Sequence, residues 1–149
     1  MGQTFILAKD KANLYLLIND LVPNKRKLKQ YNIGRIDSEI CDECGQIDTN
    51  SHRLRTCTAG SELREWMIKV LRKRFGIQLG QIDDILFWQI DENSHLQKAA
   101  MWLVVHYVAF CVDKFPGLSL FVFQKSIREF RWNSRTFVKR YFDTNLNIC

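Results

Sequence analysis

Apolar residues recur at helical spacing along most of the chain, and the one long exception is as telling as the rule. Leu14, Leu17, Ile18 and Leu21 fall three and four positions apart, which predicts an amphipathic helix over residues 11–21. Val22-Pro23-Asn24 stops it, because a proline ring clashes with the preceding helical turn. A short basic helix is expected over residues 24–31, with Asn24 as its cap and Leu28 and Tyr31 facing inward. Residues 32–56 then break the pattern: they are polar and irregular. Periodicity returns with Leu63, Trp66, Met67, Val70 and Leu71 on one helical face, while Glu65 and Lys69 pair on another. Phe75-Gly76 ends that helix. Ile82, Ile85, Leu86 and Gln89 suggest a shorter helix over 81–90, with a strand as the alternative. Asn93-Ser94 caps a nearly continuous apolar helix over 95–114. After the turn at Phe115-Pro116-Gly117, Leu118 or Ser119 opens a last long helix reaching about residue 142.

The polar interval carries chemistry in place of a core. Cys41, Cys44, His52 and Cys57 read C-x2-C-x7-H-x4-C within 17 residues. Three soft thiolates with one imidazole are the donors Zn²⁺ takes in closed four-coordinate structural sites. A single tight turn can present Cys41 and Cys44 to one ion, and Gly45 can adopt the positive φ such a turn needs. Cys57 lies about one and a half helical turns beyond His52, near enough to return to the same metal. A segment with too few apolar residues to fix itself is where a metal staple is used. With all four positions filled by protein, none is left for the water or substrate of a catalytic zinc.

Composition narrows the class further. Two prolines and seven glycines among 149 residues supply few turns, which disfavours an all-β sandwich or barrel, and 46% hydrophobic content disfavours disorder. The apolar run Phe5-Ile6-Leu7-Ala8 is too short for a signal peptide. The apolar stretch 99–112 falls short of the roughly 20 residues that span a bilayer. An odd number of cysteines, three of the five in a metal-like pattern, points to a reducing compartment, nuclear or cytoplasmic and not secreted. A net charge of +6 suggests an anionic partner.

Two basic features fit that partner. Lys25, Arg26, Lys27 and Lys29 precede the cysteines, with Arg53 and Arg55 inside the ligand segment. On the last helix, at about 100° per residue, Arg128, Arg131, Trp132, Arg135 and Lys139 lie opposite Phe123, Ile127, Phe130, Phe137 and Tyr141. Cations for phosphates beside an aromatic surface suit single-stranded RNA or DNA. A solvated helix face has the same look, and Arg53 and Arg55 equally suit the offset of a zinc cluster carrying three thiolates. His106, among apolar neighbours, reads as a hydrogen-bonded core residue. No Ser-His-Asp order, phosphate-cradling glycine loop or metal-binding carboxylate pair is visible, so an enzyme is not expected and no small-molecule substrate is implied.

The ordered set around the cysteines resembles a known family. Leu21-Val22-Pro23-Asn24-Lys25-Arg26-Lys27-Leu28, then Ile33, then Cys41-Asp42-Glu43-Cys44-Gly45, then Asp48-Thr49 with His52, Leu54 and Cys57, and finally Trp66, are similar to the zinc-binding region at the C-terminal end of reverse transcriptases from non-LTR retrotransposons. Asp48 stands where that family often carries glutamate. The resemblance covers about a third of the chain. It implies a non-catalytic tail module that contacts template RNA or target DNA and sits beside a polymerase domain. A zinc-stabilised scaffold docking on other protein domains is the alternative, and a functionless retroelement remnant a third. The expected architecture is a mainly α-helical single domain over 1–149. In it, a zinc-knuckle insertion joins N-terminal helices to a C-terminal helical bundle, with residues 11–66 as the zinc-binding subregion and 67–149 as the helical remainder.

Overall fold

The computed structural model describes residues 8–77 and 94–129 and is mainly helical, as the periodicity implies. The helices are α1 (Ala8–Ile18), α2 (Lys25–Gln30), α3 (Ser61–Phe75), α4 (His95–Lys114) and α5 (Leu120–Arg128). The helix expected over 81–90, and the last helix beyond residue 129, lie outside the described residues. No helix among the described residues is long and apolar enough to cross a membrane.

α4 is the axis. Its N-cap is Ser94, whose hydroxyl accepts from the Gln97 N–H, and its residues are buried on nearly every side, from Ala99 through Cys111. That explains its unbroken apolar sequence: a helix walled in by neighbours needs no polar stripe. α1 covers one side of it, and α3 and α5 pack on another. α3 buries the five residues that periodicity placed on its inner face, together with Phe75. It stops at Gly76, whose φ of 65° is the left-handed conformation a helix C-terminus favours. The fully buried Phe123 of α5 sits among the rings of Trp66 at 5.9 Å, His106 at 5.4 Å, Tyr107 at 6.1 Å and Phe110 at 5.1 Å. It is the hub joining three helices.

Two inward assignments do not hold. Asn24 caps α2 as expected, its side-chain oxygen Oδ1 accepting from the Lys27 N–H, but Tyr31 is 65% exposed and α2 buries no residue at all. α1 ends at Ile18, short of the expected residue 21; its inward residues are Asp10, Leu14 and, in part, Leu17, while Tyr15 is 61% and Ile18 54% exposed, as is Leu21 beyond the helix at 56%. The cause is shared: among the described residues α1 packs chiefly on α4 along one flank, and α2 meets polar loops instead of a core.

Candidate metal centre

The polar interval folds around its own cysteines. An antiparallel bridge between Ile40 and Ile47 closes a tight hairpin, in which the Cys41 N–H donates to the Gln46 carbonyl at 2.7 Å and the Gly45 N–H to the Cys41 carbonyl at 3.0 Å. Gly45, at φ 76°, supplies the left-handed step that turns Cys44 back beside Cys41. The other two ligands come from a π-helical turn, His52–Thr56, closed by the Cys57 N–H donating to the His52 carbonyl at 2.9 Å. In an α-helix a five-residue step leaves two side chains about 140° apart. The wider i→i+5 turn brings them round to one side. Sequence spacing alone suggested an ordinary helical turn.

The four ligand atoms lie within 4.8 Å of one another. Cys41 Sγ and Cys57 Sγ are 3.8 Å apart, and Cys44 Sγ is 3.3 Å from His52 Nε2. Bonds of about 2.3 Å to sulfur and 2.05 Å to nitrogen in a tetrahedron give edges of about 3.8 Å and about 3.6 Å. These two edges lie at or a little under those values and the other four within 4.8 Å, so the four atoms are close enough to hold one metal ion.

The surroundings orient these atoms for a cation. His52 Nδ1 lies 3.0 Å from Thr56 Oγ1, which donates onward to Gln46 Oε1 at 3.2 Å. With Nδ1–H donating to the threonine, the Nε2 lone pair faces the sulfurs, the division of roles a ligating imidazole needs. Burial lowers the His52 pKa, opposed by Asp48, and the nearby guanidinium groups of Arg53 and Arg64 lower it further, so the ring is held neutral. The Gln46 N–H, the main cause, and that of Thr58 hydrogen-bond the Cys44 sulfur and lower its pKa. Burial pushes Cys57 up to about 12, a cost that a bound cation offsets because it deprotonates a coordinating thiol outright. Arg64 of α3 also grips the turn from below, donating to the carbonyls of Leu54 at 3.4 Å and Cys57 at 3.1 Å.

The basic residues proposed for an anionic partner separate into groups. Lys25 pairs with Asp42 at 2.6 Å and Lys27 with Asp20 at 2.8 Å. Arg53 makes two 2.7 Å hydrogen bonds to the buried Asp48 carboxylate and lies 4.3 Å over the Phe115 ring, so its charge is engaged internally. Arg55 is half-buried on the same turn. Arg26, Lys29 and Arg128 are exposed and make no ion pair among the described residues. Arg131, Trp132, Arg135 and Lys139 lie outside the described residues.

One constellation escaped the sequence reading. His106 Nδ1 lies 2.9 Å from the buried Asp10 carboxylate and its Nε2 2.9 Å from Ser126 Oγ, so three distant residues form a polar chain across α1, α4 and α5. The imidazole stacks on Trp102 at 5.0 Å, and the Ser126 hydroxyl donates to the Phe123 carbonyl at 2.6 Å, back along its own helix. His106 is thus the hydrogen-bonded core residue its neighbours suggested. A search for a compact motif misses it because its members are 96 and 20 positions apart.

Among known proteins, no family model, curated protein or solved structure matches this chain.

Proposed function

We propose that the chain is a non-catalytic zinc-binding module, derived from the C-terminal region of a non-LTR retrotransposon reverse transcriptase, that contacts single-stranded RNA or DNA. What supports the metal is the ligand geometry: three cysteine sulfurs and one suitably oriented imidazole, all within 4.8 Å of one another. Zinc is the ion suited to that donor set, and thiolates kept for a metal belong in a reducing nucleus or cytoplasm. A Cys₃His zinc cluster carries one net negative charge, and the guanidinium groups of Arg53 and Arg64 lie near enough to perturb His52. For the nucleic acid, the support is Arg26 and Lys29, three positions apart on α2 and exposed without an acidic partner among the described residues. A second reading, docking on a neighbouring protein domain such as the polymerase, draws on the exposed Tyr15, Ile18 and Leu21.

One set of experiments tests both halves. Purified, reduced protein should carry one equivalent of zinc by metal analysis, and Cys44→Ser should lose most of it. A short single-stranded oligonucleotide should bind with an affinity that falls with salt. Arg26→Gln with Lys29→Gln should flatten that dependence by about 1.4 log units per log unit of salt, two phosphate contacts' worth. Lys27→Gln, whose charge is already paired, should leave the slope nearly unchanged. Zinc-loaded protein that binds nothing at low salt would refute the nucleic-acid reading and leave the docking one.

A further inference from the structure

Helix α2 has no means of standing alone. It is six residues long and buries none of them, whereas isolated helices shorter than about 12–15 residues are marginal in water. Its attachments therefore decide whether it exists, and most lead to one place. The Lys25 N–H donates to Asp48 Oδ2 at 2.9 Å, and the Arg26 N–H reaches the Asp48 carbonyl at 3.4 Å. Lys25 Nζ pairs with Asp42, between two of the cysteines, and the capping Asn24 donates from Nδ2 to Asn50 Oδ1 at 2.9 Å. Among the described residues, the Lys27–Asp20 pair leads elsewhere.

Asp48 is the centre of this arrangement. Its N–H donates to the Glu39 carbonyl at 2.8 Å, as part of the hairpin that holds Cys41 and Cys44. Its carboxylate accepts both Arg53 Nε and Arg53 Nη2, from the residue that follows His52. Both halves of the ligand set thus converge on one buried residue, the hairpin through the Asp48 backbone and the π turn through its carboxylate, and that carboxylate holds the start of α2.

We propose that metal binding switches the basic surface of α2 on, with Asp48 as the residue that transmits it. Without the metal the hairpin and the π turn lose their common anchor, Asp48 loses its fixed position, and α2 frays with Arg26 and Lys29 on it. With the metal, the two cations are held on an ordered helix, and a nucleic acid need not supply the ordering entropy when it binds. This rests on the reading of α2 as the phosphate-contacting surface, and it adds that zinc regulates that surface.

The test uses the full chain in three states: zinc-loaded wild type, chelated wild type, and zinc-loaded Asp48→Asn. Amide hydrogen exchange is read over residues 28–33, and affinity is measured with short oligouridylate at low salt. The expected result is that chelation and Asp48→Asn each speed exchange in α2 at least tenfold and weaken the oligonucleotide about tenfold. Metal analysis should show that Asp48→Asn still holds one zinc. If that variant holds less, the pair Asp42→Asn with Asn50→Ala cuts the other two ties with the Asp48–Arg53 contact intact, and should speed the same amides. Protection in α2 that survives chelation overturns the proposal, as does a zinc-loaded Asp48→Asn that exchanges like wild type. If α2 responds to zinc in exchange but no state binds the oligonucleotide, the coupling stands and the nucleic-acid reading falls.

Discussion

Two phenylalanines two positions apart on α5 should behave in opposite ways. Phe123 is 0% exposed and Phe121 66% exposed, in keeping with the helical periodicity that puts Phe123 on the apolar face. Phe123→Ala removes a ring lying within 6.1 Å of four other ring centroids on two helices, with Trp66, Tyr107 and Phe110 meeting it edge-on and His106 in a stacked arrangement. A buried Phe→Ala change costs about 3–5 kcal/mol, because the cavity adds to the lost transfer energy. The upper part of that range applies, since edge-on aromatic pairs contribute about 0.5–1.5 kcal/mol beyond buried area. For domains with about 5–15 kcal/mol of total stability this is a large fraction. Phe121→Ala, at an open surface position, should stay within about 0.5 kcal/mol of wild type. Urea unfolding of the zinc-loaded proteins, followed by far-UV circular dichroism, measures both. Phe123→Leu, which keeps most of the volume, should fall between them. Equal costs for the two alanine variants, or a larger cost at Phe121, would refute the assignment of the α5 face and with it the packing of α5 on α3 and α4.

Two further outcomes follow from the metal turn. Asp48 would have its carboxyl pKa raised by burial, but the Arg53 guanidinium and the Lys25 N–H outweigh that and hold it below the usual carboxylate range. A depressed folded pKa gives stability that is present above the unfolded value of about 3.9 and lost as pH falls through the folded one. The stability gap between wild type and Asp48→Asn should therefore be flat above about pH 5 and close below about pH 4. Comparing the two proteins cancels the protonation of the metal ligands they share. Arg64→Met should take the side-chain tie of α3 away from the carbonyls of Leu54 and Cys57, which keep the Tyr107 hydroxyl at 3.5 Å and the Gly60 N–H at 3.2 Å, and weaken zinc about tenfold in chelator competition, the scale for groups that hold ligands in place; an unchanged zinc affinity would show that α3 does not brace the turn.

The legibility of this chain in its sequence divides at about residue 60. In α3, five apolar positions at 3.6-residue spacing all turn inward, and Gly76 ends the helix where glycine should. Ser94 caps α4 in the same predictable manner. Those features depend on a residue and its near neighbours, which is what periodicity records. The four ligands were legible for a related reason, since donor type and short spacing carry the information. Tyr31, Ile18 and Leu21 were not, because an apolar residue turns inward only if another element lies opposite it, and among the described residues none covers these three. Nor does spacing reveal that His52–Thr56 forms a π turn, the turn that brings His52 and Cys57 round to one side.

The fate of the basic run shows the same limit in its electrostatic form. Lys25, Arg26, Lys27 and Lys29 are equivalent as letters, and a count of charge gives each the same standing. In the fold, helical rotation sends Lys25 towards Asp42 and Lys27 towards Asp20, while Arg26 and Lys29 meet no acid among the described residues. Arg53 goes further inward, to a bidentate contact with Asp48 under the metal turn. A surface ion pair is worth only about 0–1 kcal/mol, too little to explain why so many acids lie near these cations as a matter of stability alone. Their direction matters more than their strength. Between residues 20 and 60 few apolar side chains are buried, and non-directional burial cannot fix a chain that has little to bury. Charge-assisted hydrogen bonds fix angles as well as distances. Leu54 is the point where the two regimes meet: its side chain joins the helical core, and its carbonyl accepts from Arg64 between two metal ligands.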